Sequence, residues 1–109
     1  MINIKQYERK RIYFTLDDLD LDIDDFSGVT FFLGVKRERK DSAYVFSKSD
    51  ADFDKTDAGT GIVSVLLTEE DTADNGVFLT ELELIFNDDD NTIYRSSDLY
   101  INISKAVTS

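Results

Sequence analysis

The sequence predicts an all-β fold, an antiparallel β-sandwich of seven or eight short strands. Apolar residues recur at every second position, which places them on one face of a strand, rather than at the roughly 3.6-residue spacing of a helix. The periodic runs are rich in β-branched and aromatic residues, and clusters of Gly, Asp, Asn or Ser separate them. Several such runs at short, regular intervals in one chain are typical of a β-sandwich.

The predicted strands follow one another along the whole chain. In the second of them, Ile12, Phe14 and Leu16 share one face and the residues between them share the other. The eight candidate strands are "INIK" at 2–5, "RIYFTL" at 11–16, "GVTFFLGVK" at 28–36, "AYVF" at 43–46, "IVSVLL" at 62–67, "VFLTELELIF" at 77–86, "TIYR" at 92–95 and "DLYINIS" at 98–104.

One segment carries a helical signal, "TEEDTAD" at 68–74. Thr68 is a residue type that caps a helix start, and Glu69, Glu70 and Asp71 would lie near the positive end of such a helix. The segment is short, so we expect a single turn there.

The length and composition predict a single domain over residues 1–109. A chain of 109 residues buries roughly 65% of its unfolded surface in one core. Its apolar content of 41%, with eight Phe and five Tyr, suffices for that core. The domain is therefore expected to fold despite its high charge.

Four residue types are absent from the sequence: His, Cys, Trp and Pro. Without Cys there is no disulfide, thiolate nucleophile or zinc–thiolate site. Without His the commonest general base and transition-metal ligand is missing. We therefore predict that the chain is not an enzyme and that it needs no cofactor.

The net charge is −11, and the excess of acidic residues lies entirely in residues 41–109. Such a charge repels phosphate backbones and anionic lipids, so neither nucleic acid nor membrane is an expected partner. No stretch approaches the ~18 consecutive apolar residues of a membrane span. The first ten residues lack the apolar segment of a secretory signal, so we expect no signal peptide.

The acidic stretches are candidates for calcium sites. "DDLDLDIDD" at 17–25 and "DADFDK" at 50–55 lack the glycine that a calcium-binding loop needs at its sixth position. For the first stretch three interpretations stay open: a solvated edge or loop with its apolar residues on the domain, a surface calcium site built from two loops, and an acidic docking surface. The "NDDDN" stretch comes nearer to the calcium pattern, with Asn87, Asp89 and Asn91 as weak candidate ligands, although a polar hairpin loop explains it better.

The basic segment "KRERK" follows the strand at 28–36 and is predicted to form an exposed hairpin tip. Its cations Lys36, Arg37, Arg39 and Lys40 are candidate interface residues that would meet an acidic loop of a neighbouring copy. A solvated turn is the alternative. Phe32 is a further interface candidate because it lies on the less apolar face of its strand; a flanking segment that covers it is the alternative.

Three blocks of the sequence together resemble a known family. "DDFSGVTFFLGVKRE" at 24–38, preceded by "KRIYFTL" at 10–16, is similar to a block of the immunoglobulin-like modules in phage virion proteins. These modules occur in baseplate upper proteins, tail-associated proteins and head decorations. "TDAGTGIVSVLLTEEDTADNGVFLTELELI" at 56–85 and "NTIYRSSDLYINI" at 91–103 resemble the later blocks of the same modules, in the same order.

The resemblance implies a single immunoglobulin-like β-sandwich without catalytic residues. It implies a structural or adapter component of a tailed-phage virion, in the tail, the baseplate or the attachment of a tail fibre. A capsid decoration or a head-fibre anchor is the alternative role. The expected partners are other virion proteins and further copies of the chain, which would form a homo-oligomer on the particle after synthesis in the host cytoplasm.

Two other function classes stay open from the residues themselves. A glycan-binding module, with or without bound calcium, would need an exposed aromatic side chain beside an acidic loop such as 50–54 or 87–91. A carboxylate-based hydrolase would need two carboxyl groups about 5–9 Å apart in a cleft. No spacing in the sequence singles out such a pair.

Overall fold

The all-β prediction is confirmed by a computed structural model, which describes residues 2–19, 23, 25–96 and 98–107. In this part of the chain there are nine strands, one short α-helix, α1 (Leu16–Leu19), and two single 3-10 turns at Asp50–Asp52 and Ala58–Thr60. The strands are β1 (Ile2–Lys5), β2 (Lys10–Thr15), β3 (Thr30–Lys36), β4 (Phe46–Lys48), β5 (Phe53–Asp54), β6 (Ile62–Leu67), β7 (Gly76–Ile85), β8 (Ile93–Arg95) and β9 (Leu99–Ser104).

The strands form two sheets that pack as a sandwich. The larger sheet has the order β1-β9-β7-β3-β4, with β8 also paired to β7, and the smaller sheet has the order β2-β6-β5. Neighbouring strands are antiparallel except β1 and β9, which run parallel. The prediction of a wholly antiparallel sandwich is therefore wrong at this one pair, because the first strand of the chain lies beside the last.

The central strand of the larger sheet is β7, the longest in the structure. One edge of β7 pairs with the whole of β3, from Thr30 opposite Ile85 to Lys36 opposite Leu79. Its other edge pairs first with β9 and then with β8. β7 therefore supplies hydrogen-bond partners to three strands, β3, β8 and β9.

The core is built from alternate residues of both sheets, as the period of two predicts. Phe78, Leu82 and Leu84 of β7 are fully buried and Thr80 is buried with them, while the alternate residues Leu79, Glu81 and Glu83 are partly exposed. Inward-facing residues of the other strands join them in one cluster, among them Phe31, Leu33 and Val35 of β3, Val63, Val65 and Leu67 of β6, Ile12 and Phe14 of β2, and Ile101 and Ile103 of β9.

The strand boundaries differ from the prediction at two places. The strand predicted at 43–46 begins only at Phe46 and runs to Lys48, while the ring of Tyr44 lies against Gly34 of β3. The two-residue strand β5 was not predicted, because "FD" is too short to show a period and lies inside an acidic stretch. The other seven candidate strands are present, with ends that move by at most two residues.

The acidic stretch at 17–25 begins as a helical turn, the last part of α1 (Leu16–Leu19). Leu19 is buried, and its carbonyl accepts a hydrogen bond of 2.9 Å from the hydroxyl of Tyr94. Ile23 packs against the core. Asp20, Leu21, Asp22 and Asp24 lie outside the described residues, so the three interpretations of this stretch stay open.

The predicted single turn after Thr68 is present. The backbone N–H of Thr68 donates to the carboxylate of Asp71 at 2.8 Å, and the N–H of Thr72 donates to the carbonyl of Thr68 at 3.2 Å. The buried hydroxyl of Thr72 donates to the carbonyl of Glu8 at 2.8 Å. The turn therefore ties the end of β6 to the crossing from β1 to β2.

An ion pair with little exposure joins this turn to the edge of the larger sheet. Lys48 Nζ lies 2.6 Å from Asp71 Oδ2, and the two side chains are only 12% and 15% exposed. Burial alone would raise the pKa of Asp71. The hydrogen bond and charge of Lys48, with the hydrogen bonds from Thr68, outweigh burial and hold that pKa below its ordinary value.

We expect Asp71→Asn to lower the free energy of unfolding by about 2 kcal/mol at neutral pH, since it leaves the poorly hydrated Lys48 unpaired. Urea unfolding measures the difference. Glu69→Gln is the matched control in the same turn: its ion pair with Arg9 is exposed to solvent, so we expect little change.

The same comparison has a defined pH dependence. Because the folded-state pKa of Asp71 is depressed, its contribution is present above the unfolded-state pKa of about 3.9 and is lost as the pH falls through the folded-state value. The difference between the parent chain and Asp71→Asn should therefore vanish in acid. A difference that stayed constant with pH would contradict the assignment.

Candidate functional site

A cavity of about 260 Å³ opens on the outer face of the larger sheet. Its floor is made by outward-facing residues of two adjacent strands, Phe32 and Gly34 of β3 and Leu79, Glu81 and Glu83 of β7. Lys36, Arg39, Tyr44, Thr80, Arg95 and Asp98 complete the lining. The cavity therefore lies where β3, β7 and β8 meet the loop between β3 and β4.

Tyr44 forms the aromatic wall of this cavity. A Cβ atom placed on Gly34 would lie 2.5 Å from Tyr44 Cε1, so the ring occupies the space that a side chain at position 34 would fill. The Phe32 ring packs edge-on against Tyr44, with 5.6 Å between centroids. Lys36 Nζ lies 5.0 Å from the centroid of the same ring, within the range of a cation–π contact. Tyr44 nevertheless stays 48% exposed.

Ion pairs hold the polar part of the cavity. Arg95 lies 3.1 Å from Glu83 and 3.8 Å from Glu81, and Arg39 forms an ion pair with Asp98. Arg95, the last residue of β8, and Asp98, just before β9, both line this cavity.

The structure brings together three of the five predicted interface residues. Phe32, Lys36 and Arg39 line the cavity, whereas Arg37 and Lys40 lie outside it. Arg37 lies 3.8 Å from Asp74 and 5.1 Å from the centroid of the Phe78 ring, and Lys40 lies 3.3 Å from Glu38. The segment does form a loop after β3, and each of its four cations has a partner in its own chain. Their role in an interface stays a prediction.

Sequence reasoning missed most of the remaining lining of the cavity. Glu81 and Glu83 carried a usable signal, because their parity in β7 is opposite to that of the buried row. Tyr44, Arg95 and Asp98 carried none, since they reach the cavity only through the pairing of distant strands.

The candidate calcium ligands Asn87, Asp89 and Asn91 lie in the exposed turn between β7 and β8. In this turn the carboxylate of Asp88 accepts hydrogen bonds from the N–H and the hydroxyl of Thr92, which lower the pKa of Asp88. Within residues 2–19, 23, 25–96 and 98–107, no group of three or more acidic, His or Cys residues is arranged to hold a metal ion.

The other acidic loop uses its first carboxylate internally. Asp50 accepts hydrogen bonds from Lys55 Nζ, at 2.9 and 3.0 Å, and from the N–H of Phe31 at 2.9 Å. Desolvation opposes ionisation, but these bonds outweigh it and lower the pKa of Asp50. Asp50 therefore ties its loop to the start of β3, and its negative charge is already balanced by a cation.

A second, smaller cavity of about 220 Å³ lies on the outer face of the smaller sheet. Tyr13, which is 62% exposed, shares it with Asp54 and Asp57. Arg11, which also lines it, donates a hydrogen bond to Ser64. An exposed aromatic ring beside acidic residues, the arrangement that a glycan-binding module requires, is thus found on both sheets.

No family model, curated protein or solved structure matches this chain. In the part of the chain that the structure describes, no helix has the length and apolar character needed to cross a membrane.

The contact between Gly34 and Tyr44 makes a specific prediction. We expect Gly34→Ala to lower the free energy of unfolding by about 1 kcal/mol, because the new methyl group forces the Tyr44 ring to move. Chemical denaturation gives the stability, and NMR contacts between the ring and residue 34 report its position.

Gly59→Ala is the matched control, because among the described residues no atom lies within 4 Å of a Cβ placed there. In a Tyr44→Ala background, Gly34→Ala should no longer cost stability, since the clash has been removed. An equal cost in both backgrounds would show that Tyr44 does not occupy this space.

Proposed function

We propose that this chain is a non-enzymatic structural or adapter module of a tailed-phage particle, with an immunoglobulin-like β-sandwich as its fold. The strand order is the observation that supports the fold in this proposal, and the sequence resemblance supports the place in a particle. In immunoglobulin domains strands B, E and D lie in one sheet and strands C, F and G in the other. Strands β2, β6 and β5 correspond to the first group, and β3, β7 and β9 to the second. This order agrees with the fold that the sequence resemblance implies.

The module acts by surface complementarity with other proteins. The outer face of the larger sheet carries the exposed apolar side chains Val77, Tyr100 and Ile93, with ion-paired residues between them. Protein interfaces combine apolar contact with a polar, solvent-accessible rim in this way. The partners are other virion proteins and further copies of the chain, in the tail, the baseplate or a tail-fibre attachment; a capsid decoration or head-fibre anchor is the alternative place.

The test of this proposal uses virus particles purified from cells whose genome encodes the chain. We expect mass spectrometry to detect the chain in these particles, and gold-labelled antibodies to mark one part of them by electron microscopy. Label on the tail supports the first placement, and label on the head supports the alternative. A chain that is expressed but stays entirely in the particle-free fraction would contradict the proposal.

A further inference from the structure

We propose that the cavity on the larger sheet, between Tyr44 and the outward-facing carboxylates of β7, binds a neutral saccharide. This inference does not depend on where the chain is placed in a particle. It rests on the charge balance of the cavity, on the geometry of its polar groups, on its aromatic wall and on its size.

The charge balance selects an uncharged ligand. The chain as a whole carries −11, yet the cavity is lined by three cations, Lys36, Arg39 and Arg95, and three carboxylates, Glu81, Glu83 and Asp98. Both arginines are paired with carboxylates of the cavity itself. With three charges of each sign, the lining has no net charge that would attract an anion or a cation over a neutral ligand. A neutral ligand leaves these pairs intact.

The paired groups still present hydrogen-bonding positions to a ligand. A carboxylate accepts about four hydrogen bonds and a guanidinium donates five, so one ion pair does not use them all. Arg95 holds Glu83 and Glu81 side by side, 3.1 and 3.8 Å from its own nitrogen atoms. The carboxylates accept and the guanidinium donates hydrogen bonds side by side. This arrangement matches two adjacent hydroxyl groups of a ligand, because each hydroxyl both donates and accepts. A sugar ring carries several such pairs of adjacent hydroxyl groups.

The aromatic wall supplies the apolar contact that a sugar ring also needs. The Tyr44 ring is held at Gly34 and against the edge of Phe32, so it is positioned before a ligand arrives. It remains half exposed beside the cavity and offers apolar surface together with a hydroxyl group. A wall that is already ordered lowers the entropy cost of binding.

Size and composition favour the cavity on the larger sheet, rather than the one on the smaller sheet, as the saccharide site. Its volume of about 260 Å³ is close to the roughly 300 Å³ lower end of small-molecule pockets, so it suits one or two sugar rings. The cavity on the smaller sheet has one ring, Tyr13, and sets the two carboxylates Asp54 and Asp57 against the single cation Arg11. That cavity favours a cationic ligand and serves as the internal control.

The test is an NMR titration of the labelled full chain with neutral disaccharides, namely maltose, cellobiose, lactose and diacetylchitobiose. Sialyllactose and a sulfated disaccharide are the anionic comparators. Each sugar is added up to about 20 mM. We expect saturable changes in amide chemical shifts, with a Kd on the order of 1 mM, for at least one neutral sugar. The shifted amides should cluster at Gly34, Tyr44 and Glu81–Glu83.

Two variants assign the site. Tyr44→Ser should raise the Kd about tenfold, because it removes the aromatic wall, whereas Tyr13→Ser should leave it unchanged. Arg95→Met is a second cavity variant in case Tyr44→Ser does not give a folded spectrum, and it should also weaken binding. The inference is overturned if no neutral sugar shifts these amides, if only anionic sugars bind, or if Tyr13→Ser abolishes the shifts.

Discussion

The structure depends on the pairing of β7 (Gly76–Ile85) with strands on both of its edges. β3 follows one edge over seven residue pairs, while β9 and β8 share the other edge. The inward-facing residues Phe78, Leu82 and Leu84 are fully buried beneath this pairing. A slip of one residue in β7 would turn all three side chains out to solvent, so the register of the larger sheet and the packing of the core specify each other.

The same strand positions the surface that we propose to be functional. Because side chains alternate along a strand, a register that buries Leu82 and Leu84 necessarily presents Glu81 and Glu83 on the outer face. The pairing with β3 then places Gly34 opposite Glu81, and the pairing with β8 places Arg95 opposite Glu83. Core packing and the position of the cavity's floor thus have one cause, the register of β7.

What the sequence predicts well is what depends on local period and local capping. The buried row of β7 and the turn from Thr68 to Asp71 are of this kind, because a few neighbouring residues decide each of them. What it cannot predict depends on contacts between distant segments. Lys55 neutralises Asp50 in a stretch that looks like a calcium loop, and the Tyr44 ring lies against Gly34 of a neighbouring strand. The site residues Arg39 and Asp98 are 59 positions apart and meet only in the fold.

Amide hydrogen exchange of the native chain, followed residue by residue by NMR, tests the central role of β7 most directly. If β7 holds the fold together, its backbone amides from Phe78 to Leu84 should be among the slowest to exchange, opening only with global unfolding. The corresponding amides of the smaller sheet, in β2 and β5, should open at lower free energy. If β7 exchanged while β2 and β5 stayed protected, the account of a sandwich organised around β7 would be contradicted.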